Sequence, residues 1–164
     1  MNLKENKHII ISFVGTILCM LAIFILSAQP ATESDNNSKN VVHKIVDSTV
    51  KLGGEDITEQ QKIDLVERVN PIARELMHSV VYFVLGVFAH ITILGLRKKY
   101  LSAGIITFIF CVAYGLSDEI HQLFVPGRCF QLIDLGMDAI GSLAAIALVM
   151  LLYIIKRKKI IAAK

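Results

Sequence analysis

Four long apolar blocks, separated by polar stretches, dominate this sequence. They run from about residue 9 to 28, 76 to 96, 100 to 117 and 135 to 155. Charged residues stand at the edges of the blocks, whereas a soluble core mixes polar residues into its apolar segments at helical or strand period. About 17 to 25 residues of helix cross the hydrocarbon core of a bilayer. The pattern predicts an all-α fold class, an integral membrane four-helix bundle.

Composition supports a single membrane domain. Of the 164 residues, 54% are hydrophobic and 19% are charged, which is too apolar a balance for an ordinary soluble domain. We predict one domain covering residues 1–164, with the lipid bilayer as its partner. The formal net charge of +3 does not indicate nucleic-acid binding. Cys19, Cys111 and Cys129 have the spacing of neither a zinc site nor a disulfide framework.

The first block follows two lysines, an arrangement typical of both signal peptides and membrane helices. It is longer than the roughly 7 to 15 apolar residues of a signal core, and Leu26-Ser27-Ala28-Gln29 is a poor cleavage site. We therefore expect this block to be retained as a helix.

Basic residues predict the orientation of the bundle. They cluster at 4–7, 97–99 and 156–159, and all three clusters fall on one side of the membrane if the spans alternate in direction. The positive-inside rule assigns that side to the cytoplasm. We predict a multi-pass plasma-membrane protein with both termini in the cytoplasm and with outward loops at 29–75 and 118–134.

The longer outward loop carries two helical patterns. Apolar residues recur at helical spacing from Val41 to Val50 and stop before Gly53-Gly54, while Thr58-x-x-Gln61 has the form of a capping box. We predict two short amphipathic helices. They either cover the end of the bundle or lie on the membrane surface with a binding role.

The second spanning helix is predicted to begin at Asn70-Pro71, with Asn as the cap and Pro in the first turn. Arg74, His78 and Tyr82 then share one face at i, i+4 and i+8, with Glu75 beside them. The alternative for Arg74 is that it only snorkels to the interface.

The stretch from Tyr114 to Arg128 is rich in side chains that are costly in lipid. We predict that the third helix continues to about Phe124, and that Pro126-Gly127 then turns the chain and returns Arg128 towards the membrane. One helical face would carry Tyr114, Asp118 and His121, and the neighbouring face Gly115, Glu119 and Gln122. A solvated loop is the alternative, but the interleaved apolar residues favour packing.

The fourth helix carries Asp134, Asp138, Gly141 and Ala145 along one stripe. Small residues permit close contact between helices, so the carboxylates at the end of the stripe would face the same neighbours. Asp134 is alternatively an N-cap. Asp138 lies a turn deeper, where an unpaired carboxylate costs up to about 2.5–3.5 kcal/mol at the membrane centre.

Polar residues of three helices thus map to one end of the bundle, and we predict an outward-facing ligand pocket there. Its ligand-binding residues are Arg74, His78, Tyr82, Asp118, Glu119, His121, Gln122, Arg128, Asp134 and Asp138. The alternative is a buried network that only locks helix ends together. Glu119, His121 and Asp138 match no established metal-ligand motif, so we expect no metal or cofactor.

In these residues the sequence resembles the VanZ-like family of bacterial membrane proteins, named for a member associated with teicoplanin resistance. The resemblance covers most of the chain and is carried by Ser27-x-Gln29-Pro30, Arg74-x-x-x-His78-x-x-x-Tyr82, Leu85-Gly86, Asp118-Glu119-x-His121-Gln122-x-Phe124-x-Pro126-Gly127-Arg128 and Asp134-x-x-x-Asp138-x-x-Gly141. Glu75 and Val81 depart from the family pattern, which often has Lys and Glu at these positions. The resemblance implies a four-helix membrane fold with an outward polar site.

Two functions fit these predictions. The first is a cell-envelope protein whose pocket engages an anionic lipid or a lipid-linked cell-wall precursor and thereby lowers susceptibility to teicoplanin. In this function Arg74 and Arg128 hold the anionic group. The second is an intramembrane hydrolase or transferase acting on a lipid-linked headgroup, with His78, Asp118, Glu119 or His121 as catalytic candidates. A transporter is not indicated, because polar groups at one end do not form a charged path.

Overall fold

The computed structural model describes residues 3–54, 57–97 and 99–162. Every regular element in this part is a helix, in the order α1 (Leu3–Ser27), α2 (Ala31–Gly53), α3 (Glu59–Arg97), α4 (Tyr100–Gln122) and α5 (Leu132–Ala162). By length and composition, α1, α3, α4 and α5 each contain a segment able to cross a membrane. The predicted all-α membrane bundle with four spans is confirmed. Lys98 of the predicted basic clusters lies outside the described residues, as do the side chains of Lys4, Arg157 and Lys159.

The central helix is α3, which packs against α1, α2, α4 and α5. Its inward face and those of its neighbours carry several small or polar residues, and Thr107 and Ser142 are fully buried. Large aliphatic side chains such as Leu18 and Ile109 are instead about 60% exposed on the outside. A lipid-facing surface has this arrangement, because hydrocarbon solvates aliphatic side chains and leaves polar groups to pair between helices.

The crossing of α3 and α5 is close enough to require small residues. A Cβ atom added to Gly141 would overlap the backbone carbonyl oxygen of Ser79, and one added to Gly86 would lie 2.8 Å from the Cβ atom of Ala145. The Ser79 hydroxyl also donates a hydrogen bond of 2.9 Å to the carbonyl of Met137 across this crossing. The predicted stripe of small residues on the fourth spanning helix is therefore its contact face with α3.

The prediction that the second spanning helix begins at Asn70-Pro71 is wrong. Helix α3 begins at Glu59 and contains Pro71 in its interior. The capping box predicted at Thr58 is present, since the Thr58 N–H donates to Gln61 Oε1 at 2.8 Å and the Gln61 N–H donates to Thr58 Oγ1 at 3.3 Å. The second helix predicted in the long loop is thus not a separate short helix but the first part of α3.

Packing of α2 against the first part of α3 offsets the disruption at Pro71. A proline inside a helix lacks the N–H that would bond to the carbonyl four residues earlier, a strong local penalty. Val42 and Val46 of α2 bury against Val66 of α3, and Val50 and Val69 pack around them. This apolar contact stabilises the helix on the N-terminal side of the proline, where the sequence predicted a separate short helix.

Helix α2 is longer than predicted and runs antiparallel to the first part of α3. It ends at the predicted glycines, where Gly54 adopts a left-handed conformation with φ +66°. Asp47 lies 3.4 Å from Lys62 near the start of α3, while Asp35 lies 2.8 Å from Asn70 further along it. At 23 residues, α2 is not a short helix.

The connection between α4 and α5 folds as predicted. Helix α4 ends at Gln122, close to the predicted limit at Phe124. The Arg128 N–H then donates to the Val125 carbonyl at 3.1 Å, and Gly127 supplies the positive φ of +76° that this turn requires. The turn also contacts the start of α2, since the Ala31 N–H donates to the Pro126 carbonyl at 3.1 Å.

Candidate functional site

One polar face of α4 lies against α1. Tyr114 donates to the Met20 carbonyl at 2.6 Å, Asp118 Oδ2 accepts a bond of 2.6 Å from the Ser27 hydroxyl, and the His121 ring stacks on Phe24 at a centroid distance of 4.6 Å. These are the three residues predicted to share a face. Helical spacing identifies such neighbours, but it does not say which helix they meet.

The second polar face of α4 lies against α5 and the loop before it. Glu119 Oε2 accepts a hydrogen bond of 2.7 Å from the Gln131 N–H. Gly115 leaves room for Asp138, whose Oδ2 would lie 2.9 Å from an added Cβ atom. Gln122 is buried between the two faces, and its amide nitrogen donates to Asp118 Oδ2 at 3.1 Å. The predicted division of α4 into two polar faces is thus what the structure has.

His78 of α3 lies between the two aspartates of α5. Its Nε2 is 3.7 Å from Asp134 Oδ2, and its Nδ1 is 3.5 Å from Asp138 Oδ1. Asp134 is the third residue of α5, which begins at Leu132, so it does not cap that helix. Tyr82, one turn deeper than His78, is almost completely buried, with its ring 6.4 Å from that of Tyr114. Of the row predicted on α3, His78 therefore faces the carboxylates of α5.

Arg74, the first residue of that row, reaches a partner that the sequence did not indicate. Its Nη1 lies 3.7 Å from Asp35 Oδ1 on α2. Asp35 also accepts a bond of 2.8 Å from the Asn70 amide and pairs with Lys39 at 3.0 Å. Arg74 therefore takes part in a polar network between α2 and α3. The alternative, that it only snorkels to the membrane interface, does not account for this contact.

Arg128 of the α4–α5 loop bonds to neutral groups. Its Nε donates to the Gln29 carbonyl at 3.2 Å, and its Nη1 donates to Gln122 Oε1 at 3.5 Å. Within the described ranges, no carboxylate forms an ion pair with it. Burial, and next the positive charge of Arg74, lower the pKa of Arg128. The nearby carboxylates of Asp118, Asp134 and Glu119 act in the opposite direction and raise that pKa.

Unsatisfied polar atoms concentrate among the predicted site residues. In the part of the chain that the structure describes, the buried side-chain polar atoms without a hydrogen bond are Tyr82 Oη, His90 Nε2, Glu119 Oε1, His121 Nδ1 and Asp138 Oδ1. Four of these five belong to the predicted site. Buried polar atoms are nearly always hydrogen-bonded in folded proteins, so this concentration makes the predicted site residues the candidate for a functional site.

The ten predicted ligand-binding residues, called the polar cluster from here on, include both fully buried and partly exposed side chains. Asp138, Glu119 and Tyr82 are at most 2% exposed, whereas the Arg74 side chain is 33% exposed. A groove of about 310 Å³ lies elsewhere, between α2 and the first part of α3, with walls that include Ile45, Val46, Val50, Leu65 and Val69. The partly exposed members of the polar cluster include Arg74, Arg128 and His78, whose side chain is 22% exposed.

The residues considered as metal ligands do not converge. Glu119 faces the loop before α5 through its bond to Gln131, whereas His121 faces α1 through its stacking on Phe24. Among the described residues, no group of three His, Cys, Asp or Glu side chains is placed to hold a metal ion.

The VanZ/LLP1 family model matches residues 13–154, a range that contains every residue of the polar cluster. The chain belongs to the VanZ/LLP1 family. No curated protein and no solved structure shows significant similarity to it. The VanZ-like resemblance drawn from the sequence motifs is confirmed, and its residues now have defined contacts.

The structure shows contacts of VanZ-like motif residues for which the sequence predicted no partner. Ser27 donates to Asp118, and the Gln29 carbonyl accepts from Arg128, so the turn after α1 anchors both sides of the α4–α5 loop. Val81, which departs from the family pattern, packs against the apolar cluster around Leu85 and suits that environment. Glu75, the other departure, forms no ion pair within the described ranges.

A second buried polar pair lies deeper in the bundle, and the sequence analysis missed it. His90 Nδ1 is 3.0 Å from Thr107 Oγ1, which itself donates to the Ala103 carbonyl at 2.8 Å. His90 and Thr107 are both fully buried. A histidine within an apolar block is a signal that could have been followed, because ionisable residues inside membrane helices are rare and face the bundle interior.

Proposed function

We propose that this VanZ/LLP1 family protein binds the anionic headgroup of a cell-envelope component between the guanidinium groups of Arg74 and Arg128, on the extracytoplasmic side of the bacterial plasma membrane. The observation that carries the proposal is Arg128, a part-buried cation whose hydrogen bonds go to the neutral Gln29 and Gln122 and which forms no ion pair within the described ranges. A phosphate or carboxylate bound there supplies the partner charge that Arg128 lacks and accepts bidentate hydrogen bonds from guanidinium groups.

Asp118 positions Arg128 through Gln122. A carboxylate only accepts hydrogen bonds, so the amide nitrogen of Gln122 turns towards Asp118 and its oxygen towards Arg128. An asparagine at position 118 no longer requires that orientation, because it offers both a donor and an acceptor. We therefore expect Asp118→Asn to weaken binding without removing either arginine.

Binding is tested with the full-length protein in detergent and a short-chain phosphatidylglycerol as the probe. Arg128→Ala is expected to weaken binding about tenfold or more, because a hydrogen bond to a charged group contributes about 1.5–3 kcal/mol. Arg68→Ala is the matched control, since Arg68 is an exposed arginine of α3 outside the polar cluster. Equal affinity of Arg128→Ala and the wild type would contradict the proposal.

The proposed consequence of binding is lower access of teicoplanin to its target in the envelope. In a susceptible host, the wild type is expected to raise the inhibitory concentration of teicoplanin, whereas Arg128→Ala and Asp118→Asn leave it at the level of the empty vector. Membrane abundance of the three proteins is compared in the same cells. Full protection by both variants at equal abundance defeats this part of the proposal.

An intramembrane hydrolase or transferase is the second candidate, favoured by the position of His78 between Asp134 and Asp138. Its ring nitrogens lie 3.5 and 3.7 Å from carboxylate oxygens, which is the neighbourhood a general base requires. Binding is the better supported function, because Arg128 is a part-buried cation without an ion pair in the described ranges. Lipid and cell-wall profiles of cells with the wild type or Asp118→Asn separate the two candidates, because turnover changes an envelope component and binding alone does not.

A further inference from the structure

A network of hydrogen bonds and ion pairs around Asp35 contacts Arg74, one of the two arginines of the proposed anion site. Asp35 Oδ1 accepts from the Asn70 amide at 2.8 Å and lies 3.7 Å from Arg74 Nη1, while Oδ2 pairs with Lys39 at 3.0 Å. The Asn70 side chain is in turn fixed by the Ser38 hydroxyl, which donates to its Oδ1 at 2.6 Å. Asn70 is 3% exposed, so it holds the carboxylate in a defined place beside Arg74.

We infer that Asp35 is a further residue that sets the affinity of this site for anions, because its carboxylate occupies one side of Arg74 and competes there with the anionic group of the ligand. This inference rests on the proposed function. It adds a residue from α2 to a site whose other members come from α3, α4, α5 and the loop before α5. It also gives a function to the contact between α2 and α3, beyond covering the end of the bundle.

The contact has the properties of a competitor that a ligand can displace. Its length of 3.7 Å exceeds that of a direct charge-assisted hydrogen bond, and both side chains are 33% exposed, so solvent screens it. The hydrogen bond from Lys39, together with the charges of Lys39 and Arg74 and the bond from Asn70, lowers the pKa of Asp35 despite its slight desolvation. Asp35 is therefore ionised at neutral pH, and a bound phosphate would meet its negative charge.

The experiment measures the affinity of the full-length protein for short-chain phosphatidylglycerol. Asp35→Asn is expected to raise the affinity about three- to tenfold, because it removes the competing charge and keeps the size of the side chain. Asp47→Asn is the matched control, since it removes the same charge from α2, and its partners His43 and Lys62 lie away from Arg74. Asp35→Ser serves as the second variant should the asparagine disturb the network with Asn70.

The combined variant Asp35→Asn with Arg74→Ala tests the mechanism. If Asp35 acts through Arg74, the gain in affinity disappears once Arg74 is absent. An unchanged affinity in Asp35→Asn and Asp35→Ser, or an equal gain in Asp47→Asn, overturns the inference. If Arg128→Ala loses binding while the Asp35 variants bind like the wild type, the anion site is supported and only the role of Asp35 is rejected. If neither Arg74→Ala nor Arg128→Ala changes binding, the anion site itself is rejected.

Discussion

Gly141→Ala is expected to destabilise the protein by about 2 kcal/mol or more, within or above the usual range for overpacking a core. The added methyl group would overlap the carbonyl oxygen of Ser79, which belongs to the backbone of α3. A flexible side chain could move aside, but a helix backbone moves only if the two helices separate. That separation would also lengthen the hydrogen bond between Ser79 and Met137 and loosen the contact of His78 with the aspartates of α5.

Gly136→Ala is the control, because it makes the same substitution in the same helix. Apart from the adjoining residues and backbone of α5 itself, no atom of the described residues lies within 4 Å of a Cβ atom added at Gly136. Alanine favours a helix by about 0.8–1 kcal/mol over glycine, so this variant should be as stable as the wild type or slightly more stable. Thermal unfolding of both proteins in the same detergent measures the difference. Equal midpoints for the two variants would mean that α3 and α5 are not packed as closely as described.

Helical periodicity predicted which polar residues are neighbours on one helix, and it did so best for α4. Tyr114, Asp118 and His121 share a face because they are separated by three or four residues, a relation that the sequence contains in full. The partner of each face is set by how helices assemble, and the sequence contains no comparable signal for that. The bond from Ser27 to Asp118 joins residues 91 positions apart, and only the structure reveals it.

The error at Asn70-Pro71 has the same origin. A local rule for helix starts was sound as a statement about isolated helices, and the capping box at Thr58 was an equally good local signal twelve residues earlier. Burial of Val66 under α2 decided between them, since it stabilises helix on the N-terminal side of the proline. Asn70 was consequently free to bind Asp35 instead of capping a helix, which brought an unpredicted carboxylate to Arg74.

Cys129 is expected to react almost completely with a membrane-impermeant maleimide added to intact cells, whereas Cys129→Ser should leave almost no labelling. The cysteine is exposed in the loop next to Arg128, while Cys111 is buried and Cys19 is half-buried among the spans. Labelling of Cys129 therefore reports which side of the membrane the polar cluster faces, without a fused reporter protein. The positive-inside rule predicts the extracytoplasmic side, because the loop at 97–99 carries the basic residues.

Lys99→Cys in the Cys129→Ser background is the opposite probe. Lys99 is exposed at the other end of α4 and should react only after the cells are permeabilised. The reverse result, with Cys129 reacting only in permeabilised cells, would place Arg74 and Arg128 in the cytoplasm. An anion bound there could not restrict a drug that acts from outside the cell. The proposed function therefore requires Cys129 to react in intact cells.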